Sequence, residues 1–476
     1  MDDPGLPIKL GPCSNAEFAP RPPSPVVREA ARRTRAAADD LSRRLGMSRR
    51  RFLLSSMGTA LHLSVLAACS GDSGRDEGKE PGGTFSVPPE ATTEPEAATT
   101  TLATGDPVID VQTHLLEYPA PSGAEFFGSG FPQADCGDPE PAACFGTDYW
   151  LDLVFNQSDT TMAVISAVPI VAAPEDDPLS HEVMARAADA AQQLCGDGRV
   201  LIQGHAVPNV GAVPDALAAM EAALGAYPLA AWKVYTHAGT GFRLDDDGVG
   251  AAFLEQVEEL GVPIVSVHKG LSGGDQFASP ADIGPAAGNH PALAFVVYHS
   301  GYESGVTEAA YSPSGGGVDR LVRSLADAGL GAGANVYAEL GSTWRSVMGD
   351  LDQAAHVLGK LLAAVGEDNV LWGTDSIWYG SPQDQIAVFR AFEITEAYQD
   401  QFGYHALSSE VKAKILWKNA ARLYRIDPAR LVCRFTPDEL ETTRQESALG
   451  NRTLGPRTAA AAAQTWRADH PWFATP

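Results

Sequence analysis

Eight apolar runs separated by Ala-rich helical stretches restrict this chain to one kind of core. The runs are Val108–Val111, Met162–Val168, Val200–Ala206, Ala231–Tyr235, Pro263–Val267, Ala294–Tyr298, Asn335–Leu340 and Val370–Gly373. Helical stretches lie between them near 181–195, 213–224, 249–260, 317–329 and 350–365, and two more follow near 383–401 and 408–425. Strands that alternate with helices pair in parallel through crossover connections. Eight of them predict an α/β architecture, a single (β/α)8 TIM barrel over residues 106–430.

Four of the runs stop at a histidine or an aspartate. Val108-Ile-Asp-Val-Gln-Thr-His114 is the first, Val262-Pro-Ile-Val-Ser-Val-His268 the second and Ala294-Phe-Val-Val-Tyr-His299 the third. The fourth, Asn369-Val-Leu-Trp-Gly-Thr-Asp375, ends in a Gly-Thr-Asp turn. A buried strand that ends in His or Asp puts a metal ligand or an acid/base at the rim of a sheet. Parallel barrels carry their catalytic groups at this C-terminal face, so the four ends predict one rim gathered around one site.

The order His, His, His, Asp on strand ends resembles the amidohydrolase superfamily of metal-dependent (β/α)8 barrels. Three phrases resemble its amidohydrolase-related branch, which includes the aminocarboxymuconate-semialdehyde-decarboxylase-like enzymes. They are Val262-Pro-Ile-Val-Ser-Val-His268, His290-Pro-Ala-Leu-Ala-Phe-Val-Val-Tyr-His299-Ser-Gly301 and Leu371-Trp-Gly-Thr-Asp375. Asn419-Ala-Ala-Arg-Leu-Tyr424 is similar to a phrase near the end of such barrels, and the resemblance covers about residues 107–426. It departs at one place. The family's first strand ends Asp-x-His-x-His, with both histidines on the metal, whereas this chain reads Asp110-Val-Gln112-Thr-His114.

The resemblance implies one divalent metal, Zn2+ by donor type, held by His114, His268 and Asp375, with Gln112 in the first-histidine position. Gln112 is then a weak fourth contact, a partner that orients His114, or the mark of a lost metal. Asp375 doubles as the base. His299 is the non-ligand histidine that contacts water or substrate and acts as acid/base, or else hydrogen-bonds Asp375. Some members of the wider superfamily carry a carbamylated lysine at the position of Lys233. Here Lys233 is read as a cation for a substrate carboxylate or a developing oxyanion. Glu339 pairs with Lys233 or polarises substrate, and Tyr302 and Trp378 on rim loops contact it. The reaction implied is metal-assisted hydrolysis of an amide, ester or lactone of a small organic molecule. The alternatives are non-oxidative decarboxylation of an unsaturated or aromatic acid, and a degenerate barrel that binds a ligand without chemistry.

The start of the chain reads as an address. Ser48-Arg-Arg-Arg51-Phe-Leu53 resembles a twin-arginine export motif, Leu53–Leu66 is apolar but too short to span a membrane, and Leu66-Ala-Ala-Cys69 resembles a lipoprotein box. The expectation is a signal region over 1–69, with Met47 as an alternative start, a disordered linker over 70–105 rich in Gly, Ser, Thr, Pro and Glu, and a C-terminal extension over 431–476. Lipid on Cys69 would place the protein on the outer face of a bacterial cytoplasmic membrane. The formal charge of −26 argues against nucleic acid as a partner and leaves a small-molecule substrate. Cys136 and Cys144 share a loop and predict a small disulfide, while Cys195 and Cys433 read as unpaired. No Cys-x-x-Cys spacing occurs, which argues against a structural zinc module.

Overall fold

The computed structural model describes residues 5–72, 80–103, 105–119, 131, 134–169, 177–195 and 198–465. Ten strands are present among the described residues: β1 (Gly83–Phe85), β2 (Ile109–Thr113), β3 (Met162–Ile165), β4 (Val200–Ala206), β5 (Leu229–Val234), β6 (Ile264–His268), β7 (Ala294–Tyr298), β8 (Val336–Glu339), β9 (Val370–Leu371) and β10 (Phe392–Ile394). Strands β2 to β9 form one eight-stranded sheet in chain order, and every neighbouring pair is parallel. The last strand meets the first. Val111 N–H donates to Trp372 O (3.1 Å), Asp375 N–H donates to Gln112 O (2.9 Å), and Thr113 bridges Ser376. The sheet is therefore the predicted (β/α)8 barrel. Its crossover helices show how the sequence encodes it. Val249–Leu260 buries Phe253, Leu254 and Val257, one stripe at helical spacing, and stops at Gly261 with a left-handed φ of 70°.

Asp110 holds the seam. Its buried carboxylate accepts from the backbone N–H groups of Gln112 (3.1 Å) and Thr374 (3.0 Å), and from the Thr374 hydroxyl. Burial pushes this carboxyl up to about 7 against the pull of those bonds. Asp110→Ala should strand both N–H groups and cost about 1–3 kcal/mol for each. A urea midpoint unchanged from the wild type would show that the seam does not depend on it.

Three regions differ from expectation. Residues 80–103 do not form a bare linker. Strand β1 pairs antiparallel with β10, Phe85 meets the Phe392 ring edge-on at 6.0 Å, and a helix at Pro95–Leu102 buries Ala98 and Leu102. Their few apolar side chains suffice because they pack on a surface that the barrel already provides. The same pairing splits the helix expected over 383–401 into Gln383–Ala391 and Glu396–Phe402. Cys433 is disulfide-bonded rather than unpaired, while the Cys195 side chain lies outside the described residues. The Cys136–Cys144 disulfide is present.

Upstream, α1 (Pro25–Arg44), α2 (Arg49–Leu53) and α3 (Ser56–Asp72) pack as a helical layer on the barrel. Ser24 caps α1 by accepting from Val27 N–H, with Pro25 in the first turn. The apolar run read as an export segment lies mostly in α3. Leu61, Leu63, Leu66 and Cys69 are all buried there, as expected of a helix that is apolar nearly all round. No helix among the described residues is long and apolar enough to cross a membrane.

Candidate active site at the carboxyl rim of the barrel

The pairing register of β2 shifts between Asp110 and Thr113. Such an irregularity bends a strand and re-aims its side chains. Gln112 and His114, two residues apart, share a face, with Gln112 Nε2 3.4 Å from His114 Nε2. His114 Nδ1 lies 2.7 Å from the Ser166 carbonyl. A carbonyl only accepts, so Nδ1 carries the proton. His114 Nε2 then faces Asp375 Oδ1 at 3.1 Å. At that spacing two lone pairs need a shared proton or a shared cation.

Strands β6 and β7 deliver His268 and His299, whose rings stand 4.6 Å apart. His299 Nδ1 donates to Gly341 O (2.7 Å), which leaves Nε2 as the open nitrogen. Burial pulls His299 down to about 4, with Asp375 opposing, and pulls His268 well below the usual histidine range, helped by His237 and His299. Both rings are neutral at physiological pH, the form that binds metals. His268 Nε2 lies 3.0 Å from Ser272 Oγ and 3.4 Å from a carboxylate oxygen of Glu17.

Asp375 follows β9 with a left-handed φ of 57°. It accepts from Asn15 Nδ2 (2.8 Å), Gln112 Nε2 (3.2 Å) and Ser342 Oγ (2.5 Å). Burial acts to raise its pKa, but the hydrogen bonds with His114 and Ser342 outweigh it. Its carboxyl ends below the usual range, ionised at neutral pH. Lys233 on β5 is buried, with Nζ 3.7 Å from the Tyr298 ring centre and 4.3 Å from that of Tyr235, and makes no hydrogen bond. Burial pulls it down to about 7, while Glu17, Glu339 and Asp375 oppose.

Glu339 does not hydrogen-bond Lys233. Its oxygens accept from the backbone N–H groups of His299 (3.0 Å) and Gly341 (2.6 Å), so it holds two rim loops in place. Burial pushes it up to about 8. Trp378 stacks on His114 with ring centres 6.1 Å apart and lines the cavity. Tyr302 sits elsewhere, beside Leu10, Gly11 and Arg345 in a separate cavity of about 200 Å³.

Backbone strain concentrates at the same rim. Leu271, Ser272, His299, Ser300, Ser342 and Asp375 all take positive φ between 48° and 64°. Each such residue costs on the order of 1–3 kcal/mol, and clusters of them mark functional sites. Close approach also requires glycine here. A Cβ on Gly373 would fall 1.8 Å from Glu339 Oε1, and one on Gly341 would fall 2.1 Å from Gln112 Oε1.

The expected metal set was His114, His268, Asp375 and Gln112. Gln112, His114 and Asp375 are in mutual contact. His268 instead gathers with His299 and Glu17. Their ligand atoms lie within 4.8 Å of one another, the one such group of three among the described residues. His299, read as a non-ligand, belongs to this trio. Asn15 and Glu17 were not anticipated at all, because they come from the segment read as a leader. A cavity of about 20 Å³ remains between Asn15, Glu17, His114, Tyr235, Asp375 and Trp378. The donors suit a divalent cation of the zinc type: neutral imidazoles and carboxylates, with Glu17 Oε2, Gln112 Oε1 and His268 Nδ1 buried without hydrogen-bond partners.

The family model described as amidohydrolase matches residues 109–426. Three solved structures are similar. The 5-carboxyvanillate decarboxylase of Sphingomonas paucimobilis is 14% identical, with a TM-score of 0.42 over 67% of this chain and 99% of that one. An uncharacterised TIM-barrel protein of Bordetella bronchiseptica is 15% identical, with 0.43 over 67% and 99%. The 4-oxalomesaconate hydratase of Rhodopseudomonas palustris is 15% identical, with 0.43 over 68% and 97%. No curated protein matches the chain. Through the match over residues 109–426, the chain belongs to the amidohydrolase family.

Proposed function

We propose that the protein is a metal-assisted hydrolase of an amide, ester or lactone of a small organic molecule. One observation carries the reading. Neutral His268 and His299 and ionised Asp375 gather at the strained rim of the barrel. His268 and His299 would hold the ion, with His114 and Asp375 on the facing wall. A divalent ion there, zinc by donor type, would supply Lewis acidity that polarises a carbonyl and acidifies water. Asp375, held ionised, takes the proton from the attacking water. Lys233 stabilises negative charge that develops on the substrate oxygen. Trp378, Phe131 and Phe145 stack as an apolar wall beside His114, with Phe131 and Phe145 centred 5.2 and 5.3 Å from Trp378, and exclude bulk water.

Lys233 favours a second reading. A buried cation without a hydrogen-bond partner also suits a substrate carboxylate, as decarboxylation of an unsaturated or aromatic acid would need. Elemental analysis of the protein, followed by assays with lactones, amides, esters and aromatic acids, separates the two. Ring opening or ester and amide cleavage supports the hydrolase. Carbon dioxide release from the acids transfers the site to decarboxylation. A full-length protein that takes up no divalent metal and turns over neither class ends both readings.

Gln112 gives an independent handle. Its amide nitrogen is spent on Asp375 and its oxygen is buried without a donor. Gln112→His would put an imidazole at that wall, and zinc affinity should rise by at least about tenfold, the scale on which neighbours of metal sites act. Equal or weaker binding would mean that this wall does not face the ion.

A further inference from the structure

We propose that the N-terminal arm, residues 5–18, is a working part of the site and that Glu17 is a metal ligand delivered by it. The proposal rests on the metal-enzyme reading above and adds a carboxylate from outside the barrel. Three observations carry it.

The first is position. A carboxylate oxygen of Glu17 lies with the ring nitrogens of His268 and His299 inside a 4.8 Å group. Glu17 is 7% exposed, and its Oε2 has no hydrogen-bond donor. A buried carboxylate oxygen that faces two neutral imidazoles, with no donor of its own, suits a cation better than any side chain present.

The second is aim. Asn15 fixes the turn from both ends. Its Oδ1 accepts from Glu17 N–H (3.0 Å), and its Nδ2 donates to Asp375 Oδ2 (2.8 Å). Between them Ala16 is fully buried in a left-handed conformation, φ 78°. An alanine there is strained, and the strain persists only because both neighbours are tied to the rim.

The third is anchorage. Lys9 is buried, with Nζ 2.6 Å from Asp384 Oδ1 and 2.8 Å from Ser381 O. Arg345 donates to Gly11 O (2.9 Å), and Ser14 N–H donates to Pro456 O (3.0 Å). Gly455 packs so closely that a Cβ would fall 2.1 Å from Ser14 O. The barrel, its loops and the C-terminal extension all hold the arm. A segment anchored at this many points is a fixed wall of the cavity, and so its carboxylate is a fixed donor.

The test uses the full chain and reads metal directly. Wild type, Glu17→Gln and His268→Ala are stripped with a chelator and titrated with Zn2+, with metal content and the zinc-induced shift in Tm as readouts. Glu17→Gln should bind zinc at least about tenfold more weakly. Its metal-free Tm should hold or rise, since it removes a desolvated carboxyl from beside Asp375. A merely structural role for Glu17 would lower that Tm and leave affinity alone. If His268→Ala loses zinc while Glu17→Gln retains wild-type affinity, the arm proposal falls and the metal-enzyme reading survives. If Glu17→Gln binds more tightly or turns over faster, Glu17 is an occupant that obstructs the site, and the proposal also falls. If the wild type binds no zinc and His268→Ala matches it, both fall together.

Discussion

Asp375→Asn should lower turnover by about 100- to 10,000-fold, the range for loss of a positioned acid/base, while the fold survives. The substitution is chosen for its backbone. Asp375 sits at φ 57°, a conformation that asparagine adopts readily and alanine does not. Shape and strain are therefore preserved, and only charge and acceptor capacity change. The wild-type carboxylate accepts from Asn15, Gln112 and Ser342. An asparagine amide turns one of these contacts into a donor facing a donor and can take no proton from water. The acid side of the pH profile gives a second readout. Because the Asp375 carboxyl is held below the usual carboxylate range, the wild type should keep its activity through mildly acid pH and lose it only as Asp375 protonates. The variant should lack that limb. Turnover within tenfold of wild type, or an unchanged acid limb, would remove Asp375 from the chemistry.

The barrel was legible because its signal is local and repeated. Each strand is an apolar run that a crossover helix must cover, and each of the eight predicted runs overlaps an observed strand. The rim histidines were legible for the same reason, since a strand end fixes where a side chain emerges. Residues 80–103 were misread because composition describes a segment in isolation. Phe85 and Leu102 become buried only against surfaces from hundreds of residues away. Glu339 was read as a partner of Lys233 because both lie at the ends of barrel strands on the same rim. The structure uses its oxygens for the backbone of His299 and Gly341, a demand created by turns that the sequence does not announce.

Asn15 and Glu17 were invisible for a different reason. No periodicity links residue 15 to residue 375, and a short polar phrase ahead of an export-like motif has a simpler explanation as a leader. The buried faces of α1 and α3 give the same residues a second explanation, as a folded layer. A run of leucines long enough for an export signal is equally a core helix when a partner surface exists. Length and apolarity do not distinguish the two, and only packing does.

The anchorage of the arm predicts the largest effect on stability. Asp384→Ala should destabilise the protein by about 3–5 kcal/mol, because it leaves the Lys9 ammonium buried without its counter-charge. The side chains are 4% and 0% exposed, so water cannot replace the lost partner where they stand. Burial already pulls the Lys9 pKa down, and Asp384 is the group that opposes the shift. Without it, Lys9 must give up its proton or leave the pocket. If it leaves, residues 5–18 go with it, and Asn15 and Glu17 withdraw from Asp375 and His268. Urea unfolding reads the first response, and limited proteolysis of the arm reads the second. The double variant Lys9→Met with Asp384→Leu separates charge from packing. A buried ion pair replaced by apolar side chains of similar volume is often neutral or stabilising, so the double variant should recover most of the loss and restore protease resistance. If Asp384→Ala unfolds at the wild-type urea midpoint with the arm still protected, the ion pair does not anchor the arm. The fixed-wall account of Glu17 would then have to rest on Arg345, Pro456 and Gly455 alone.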